Sequence, residues 1–171
     1  MLTEQQSQFE QVVMPHLDAA YNLARWLAGN DHDAEDIVQD ACVRAFRFLG
    51  GYRGGNSRSW LLAIVRNTAC SWLKKNRPQA MVPINDDEIA EIEDTNGPAG
   101  AFHGADKGAL RAALEALPLE FREALVLREL EGCSYKEIAD VAGVPVGTVM
   151  SRLARARRQL QNHFAQKGEV K

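Results

Sequence analysis

Apolar residues recur at three- and four-residue steps along most of the chain, and no stretch alternates at period two. The pattern therefore predicts helices and no strands. Phe9, Val12/Val13, Leu17, Tyr21, Ala24 and Leu27 mark a first helix that ends near Gly29-Asn30. A second opens at Asp33 as N-cap, with Glu35 and Asp36 in its positive first turn, and stops at Gly50-Gly51. Ile37, Ala41, Ala45 and Phe48/Leu49 form its inward face. After the glycine-rich loop YRGGNSR, Ser57 or Ser59 begins a third helix, with Leu61, Ile64/Val65, Thr68 and Trp72 on its apolar side and Pro78 as its stop. From 78 to 106 the periodicity fails: prolines, glycines and acids predict a flexible linker, in which Ile84, Ile89 and Ile92 suit a short docking segment. Helical spacing then resumes, with Leu110, Leu114 and Leu117 in one helix. A second starts at Pro118 and carries Phe121, Leu125, Val126 and Leu130. The fold class is all-α, two small helical domains over 5–77 and 107–166 joined by the linker 78–106.

The last periodic stretch carries the sharpest motif. Ser134 and Glu137 have capping-box spacing, Ile138, Ala139 and Val141 give a short apolar face, Gly143 suits a left-handed helix end, and Pro145 suits the next first turn. Two helices joined by so short a turn form a helix-turn-helix, the unit that lays its second helix in a major groove. On that second helix Val149, Leu153, Ala156 and Leu160 share a core-facing stripe. Thr148, Ser151, Arg152 and Arg155 share another, with Arg157 and Arg158 one turn on. Hydroxyls and guanidinium groups reach phosphates and guanine edges.

Charge counted along the chain agrees with that placement. The total over 171 residues is -3, which by itself argues against a nucleic-acid partner. By segment, 1–40 carry -7, 41–77 carry +8 with no acid, 78–106 carry -7 with no base, 107–144 carry -2 and 145–171 carry +5. Two basic blocks separated by acidic ones point to two polyanion-binding surfaces. Within the first block, Asn67, Ser71, Lys74 and Lys75 lie on one side of the third helix, with Arg66 and Cys70 beside them. Beside the Gly-Asn-Ser loop, this stripe suits an unstacked single strand. Trp60 and Trp72 are able to stack on bases, but tryptophan at helical spacing favours the core. On the second helix, Asp36, Asp40, Val43 and Arg47 form an exposed mixed stripe. The DHDAED run reads as helix capping rather than a metal site, and the four histidines form no ligand pattern.

No apolar run approaches a membrane span, and MLTEQQSQFEQ has neither the basic nor the apolar region of a signal peptide. Cys42, Cys70 and Cys133, odd in number and without CxxC spacing, fit reduced thiols. A cytoplasmic protein is the expectation.

These pieces, in this order, resemble the extracytoplasmic-function sigma factors of bacterial RNA polymerase. DAEDIVQDACVRAFRFL is similar to the family's core-polymerase-binding helix, SRSWLLAIVRNTACSWLKKNR to its promoter-melting and -10-reading helix, and the capping-box segment with PVGTVMSRLARAR to its -35-reading helix-turn-helix. The similarity covers about 5–77 and 107–163. The resemblance implies that Asp36, Gln39, Asp40 and Arg47 grip the β′ clamp coiled coil. It implies -10 contacts from Asn67, Ser71, Trp72 and Lys75, joined by Arg66 and Lys74, and a flipped base held in the loop 53–58 by Arg53, Asn56, Ser57 and Arg58. Contacts to the -35 element fall to Thr148, Met150, Ser151, Arg152, Arg155 and Arg158. Met150 stands where relatives often carry Lys or Arg, and Cys70-Ser71 replace a more polar or acidic pair, so the -10 preference does not transfer. The implied partners are core polymerase, including its β flap, promoter DNA and an anti-sigma factor, with no cofactor, no membrane insertion and no catalysis. The acidic linker is expected to thread toward the polymerase's basic RNA-exit path.

Two alternatives fit less of the chain. A two-domain repressor or activator explains the helix-turn-helix but not the acidic stripe or the basic third helix. A decoy that binds only an anti-sigma partner has no use for Arg152, Arg155, Lys74 and Lys75. An enzyme is disfavoured because no nucleophile, base and metal set converges.

Overall fold

The structure is a computed structural model that describes residues 3–87 and 107–166. Every regular element among them is helical, and the chain separates into two compact units, Met1–Ala80 with Asp140–Gly143, and Met81–Ala139 with Val144–Lys171. The linker residues 88–106, including Ile89 and Ile92, lie outside the described residues.

In the first unit, Thr3 opens α1 (Glu4–Val12) with a capping box. Its hydroxyl accepts the Gln6 N–H at 3.1 Å, while the Gln6 side chain accepts the Thr3 N–H at 2.9 Å. A 3-10 turn over Met14–His16 separates α1 from α2 (Leu17–Ala28). The single helix predicted from Phe9 onward is thus two, because Pro15 lacks an N–H and its ring obstructs the preceding turn. Gly29, at φ 89°, closes α2 by donating its N–H to the Arg25 carbonyl.

Asn30, rather than Asp33, caps α3 (Asp31–Phe48): its side-chain oxygen accepts the Asp33 N–H at 2.9 Å. Likewise Asn56, rather than a serine, caps α4 (Ser57–Asn76) by accepting the Ser59 N–H at 3.0 Å. Helices α2, α3 and α4 pack on one another around Leu23, Leu27, Ile37, Leu61 and Leu62, all buried. Ile37, Ala41 and Ala45 face inward as expected. Of the Phe48/Leu49 pair, Leu49 is buried in the closing 3-10 turn and Phe48 is 61% exposed. On α4 the buried set is Leu61, Leu62, Val65, Thr68, Ala69 and Leu73. Ile64 and Trp72 are only half-buried, so the core stripe is rotated from the one predicted.

The second unit holds α5 (Lys107–Glu115), α6 (Leu119–Leu125), α7 (Tyr135–Ala142) as far as Ala139, and α8 (Val146–Gln166). Arg122 clasps the end of α5, donating to the carbonyls of Leu114 at 3.0 Å and Leu117 at 3.1 Å, which satisfies acceptors that the helix end leaves open. A π turn over Val126–Leu130 extends α6. This wider turn shifts the register, so Leu127 is buried and Leu130, expected inside, is exposed. Phe121, Leu127, Ile138, Leu153 and Leu160 are large, fully buried apolar side chains of this unit.

Candidate polymerase and nucleic-acid interfaces

Packing of α3 against α2 and α4 leaves one face of α3 in solvent. Asp36, Gln39, Asp40, Val43, Phe46 and Arg47 are all exposed, a face with an apolar centre at Val43 and Phe46 between charged flanks. Asp40 pairs with Arg44 one turn away at 3.3 Å, a contact that exposure makes weak and easily exchanged for a partner's charge. At the start of α3, His32, Asp33 and Asp36 approach one another. Asp33 there is engaged by the Asn30 amide and by the Arg77 guanidinium, which also donates to the Ala28 carbonyl at 2.7 Å. Arg77 therefore ties the end of α2 to the start of α3, and its guanidinium lies 5.3 Å from the Trp72 ring centre.

The opposite role falls to α4. Asn67, Ser71, Lys74 and Lys75 are exposed, while Arg66 and Cys70 beside them are half-buried. Arg66 donates to the Asn67 side chain at 3.3 Å. The loop before α4 has a built shape. Gly54 and Gly55 both take φ 86°, a left-handed backbone that strains any other side chain, and the Tyr52 hydroxyl donates to the Gly55 carbonyl at 2.9 Å. The Tyr52 ring packs against Trp60 with centres 5.2 Å apart. Arg53 and Asn56 are exposed, with Asn56 occupied as the helix cap, and Ser57 and Arg58 are half-buried. Trp60 and Trp72, both expected in the core, are half-buried instead, each with one face in a named contact.

His16, which carries no motif in the sequence, reaches this loop: its Nε2 is 2.8 Å from Ser57 Oγ. Burial, and then the nearby Arg58 charge, lower its pKa below the usual histidine value. The His16 contact joins positions 41 residues apart, and the Tyr52 contacts are made within a loop, so neither follows a helical period.

The helix-turn-helix forms as its residues suggest. Ser134 and Glu137 exchange bonds at 3.0 and 3.1 Å. Gly143 takes φ 70°, and Val144 N–H donates to Ala139 O at 3.1 Å, the six-to-one bond of a Schellman end. Val149, Leu153, Ala156 and Leu160 are buried, which fixes the rotation of α8. Thr148, Met150, Ser151 and Arg155 are half-buried and Arg158 is exposed.

Arg152 is the departure. Its side chain is 8% exposed and makes a two-pronged ion pair with Asp86, Nε to Oδ1 at 3.1 Å and Nη2 to Oδ2 at 2.9 Å. Arg155 donates to the Asn85 carbonyl at 2.7 Å and lies over the Phe121 ring at 4.9 Å. Arg157, placed on the DNA side by sequence, pairs with the nearly buried Glu129 at 3.0 Å. All three cysteines are free thiols. Among the described residues, no helix is long and apolar enough to cross a membrane.

Comparison with known proteins defines the class. Residues 12–79 match the family model for sigma-70 region 2, and 107–160 match that for sigma-70 region 4. The chain belongs to the sigma-70 family, among its extracytoplasmic-function (ECF) RNA polymerase sigma factors. It is 40% identical to the ECF RNA polymerase sigma factor SigE of Mycolicibacterium smegmatis over 92% of this chain, and spans 62% of that protein's length. It is 34% identical to the ECF RNA polymerase sigma-E factor of Escherichia coli, over 76% of this chain and 73% of the relative. Among solved structures, the sigma factor RpoE of Bartonella quintana, in complex with the anti-sigma factor NepR, matches with a TM-score of 0.70 at 30% identity, covering 92% of this chain and 96% of that one. CnrH, in complex with the cytosolic domain of CnrY, matches with a TM-score of 0.65 at 25% identity, over 92% of this chain and 88% of that one.

Proposed function

We propose that the chain is a dissociable promoter-recognition subunit that binds core RNA polymerase, reads -35 and -10 elements and promotes melting, with no catalysis of its own. The observation that carries this reading is the division of the first unit into two solvent faces. The exposed α3 face of Asp36, Gln39, Asp40, Val43, Phe46 and Arg47 meets the polymerase clamp coiled coil. The exposed α4 stripe of Asn67, Ser71, Lys74 and Lys75, with the shaped loop 53–58, holds the unpaired strand. Arg66 and Trp72 flank that strand. In the second unit, Thr148, Met150, Ser151, Arg152, Arg155 and Arg158 serve the -35 duplex, and the β flap is the unit's polymerase partner.

An anti-sigma factor that covers the same surfaces is the proposed regulator, supported by the RpoE–NepR and CnrH–CnrY complexes. Work beside polymerase places the chain in the cytoplasm. The acidic residues from 86 to 106 suit a path along the basic RNA-exit channel. The testing experiment is co-elution of the purified chain with core polymerase. Wild type is expected to form a stoichiometric complex and Asp40→Arg to lose it; equal retention of both would remove α3 as the docking face.

A further inference from the structure

We propose that Asn85 and Asp86 are an intrachain ligand for the duplex-facing surface of α8, held there until DNA takes their place. The inference rests on the assignment of that surface to -35 DNA. Its geometry is that of phosphate recognition: a planar guanidinium forks onto two anionic oxygens, Arg152 to Asp86, while a neighbouring arginine, Arg155, takes the adjacent backbone carbonyl of Asn85. The segment is locally shaped for this. The Asn85 side-chain oxygen accepts the Asp87 N–H at 3.0 Å, an Asx turn that presents the Asp86 carboxylate. The asymmetry of exposure, 8% for the Arg152 side chain against 39% for Asp86, shows which partner lies on top. The arginine is rooted in the unit, and the carboxylate closes over it from the solvent side. The pair also holds the Asp86 carboxyl below its ordinary pKa, chiefly through the Arg152 hydrogen bonds.

Two consequences follow. The free chain has weakened affinity for any duplex, because phosphates compete with a tethered carboxylate. Once the segment leaves, two arginine contacts become available together. The segment also begins the acidic run of the linker, so its release from α8 frees the linker's leading end in the same step that duplex binds.

The test uses the full chain and a fluorescein-labelled random-sequence duplex of about 25 base pairs, a probe that reads backbone attraction without a known promoter. Asp86→Asn is expected to bind roughly five- to thirtyfold more tightly, the low end of what one charge-assisted hydrogen bond contributes, because Asp86 is 39% exposed and solvent screens the pair. Asp87→Asn, which removes the same formal charge one residue away, is expected to gain less than about twofold. In the wild-type chain, the amide resonances of Asn85, Asp86 and Asp87 should move to random-coil positions as duplex is added, a readout that needs no variant. Weaker or unchanged binding by Asp86→Asn, with Arg155→Ala clearly weaker than wild type, would overturn the proposal and leave the -35 assignment standing. No effect from either substitution would overturn the assignment, and the proposal with it.

Discussion

Replacing Arg77 with alanine separates folding from binding inside one basic block. By charge count Arg77 belongs with Lys74 and Lys75, yet its guanidinium donates to the Ala28 carbonyl at 2.7 Å and pairs with Asp33. A charge-assisted bond to a carbonyl contributes about 1.5–3 kcal/mol. The ion pair, with side chains 34% and 18% exposed, adds no more than about 1 kcal/mol after solvent screening. These contributions overlap, so Arg77→Ala should cost the first unit about 2–3 kcal/mol, or roughly 8–24 °C in melting temperature for a unit of this size. The three tryptophans, Trp26, Trp60 and Trp72, all lie in the first unit, so intrinsic fluorescence follows its unfolding without a signal from the second. The Lys74→Gln/Lys75→Gln pair should leave that transition within about 0.5 kcal/mol of wild type, since both lysines are exposed. The same pair should lower the salt slope of single-strand binding by about 1.4, at ~0.7 per lost phosphate contact. An Arg77→Ala chain that melts like wild type but loses about 0.7 of salt slope would refute this reasoning and make Arg77 a nucleic-acid contact.

Other expectations can be checked with the same chain. Burial, then the Arg58 charge, hold His16 below the usual histidine value of 6.5, so the unfolded chain takes up its proton first. The first unit should then lose stability as pH falls through 6.5 toward the lowered value, and His16→Gln should flatten that slope in fluorescence-monitored urea melts. Ser134→Ala removes the acceptor for the Glu137 N–H and should cost the second unit about 1 kcal/mol, read by hydrogen exchange of the α7 amides. Leu153→Ala opens a cavity beneath α8 and should cost about 3–4 kcal/mol, with specific duplex binding lost along with the fold of the unit.

What the sequence made legible was whatever depends on local periodicity. The α8 core stripe, the Ser134–Glu137 box and the Gly143 turn all form as written, because each is decided within about one turn of helix. What periodicity does not carry is a contact between positions that no single helix joins. Charge counting places Arg77 in the basic block 41–77 and carries no signal of the Ala28 carbonyl 49 residues earlier, to which it donates. The pairing of Arg152 is not legible in the sequence because its partner, Asp86, sits 66 residues away in a segment without periodicity. Spacing points Trp60 to the core, whereas it is half-buried with its ring against Tyr52 in the loop before α4. Smaller features, such as Leu49 alone of the Phe48/Leu49 pair being buried and Leu127 replacing Leu130, mark where 3-10 and π turns change the register that a uniform helix assumes.

The most direct test is run-off transcription with purified core polymerase on a promoter-containing template, with the chain as the sole initiation factor. Core-dependent transcripts from a defined start, abolished by Asp40→Arg and reduced by Lys74→Gln/Lys75→Gln, are the predicted result. Specific duplex binding by the chain with no core-dependent initiation at any promoter would contradict it and leave a polymerase-independent regulator in its place.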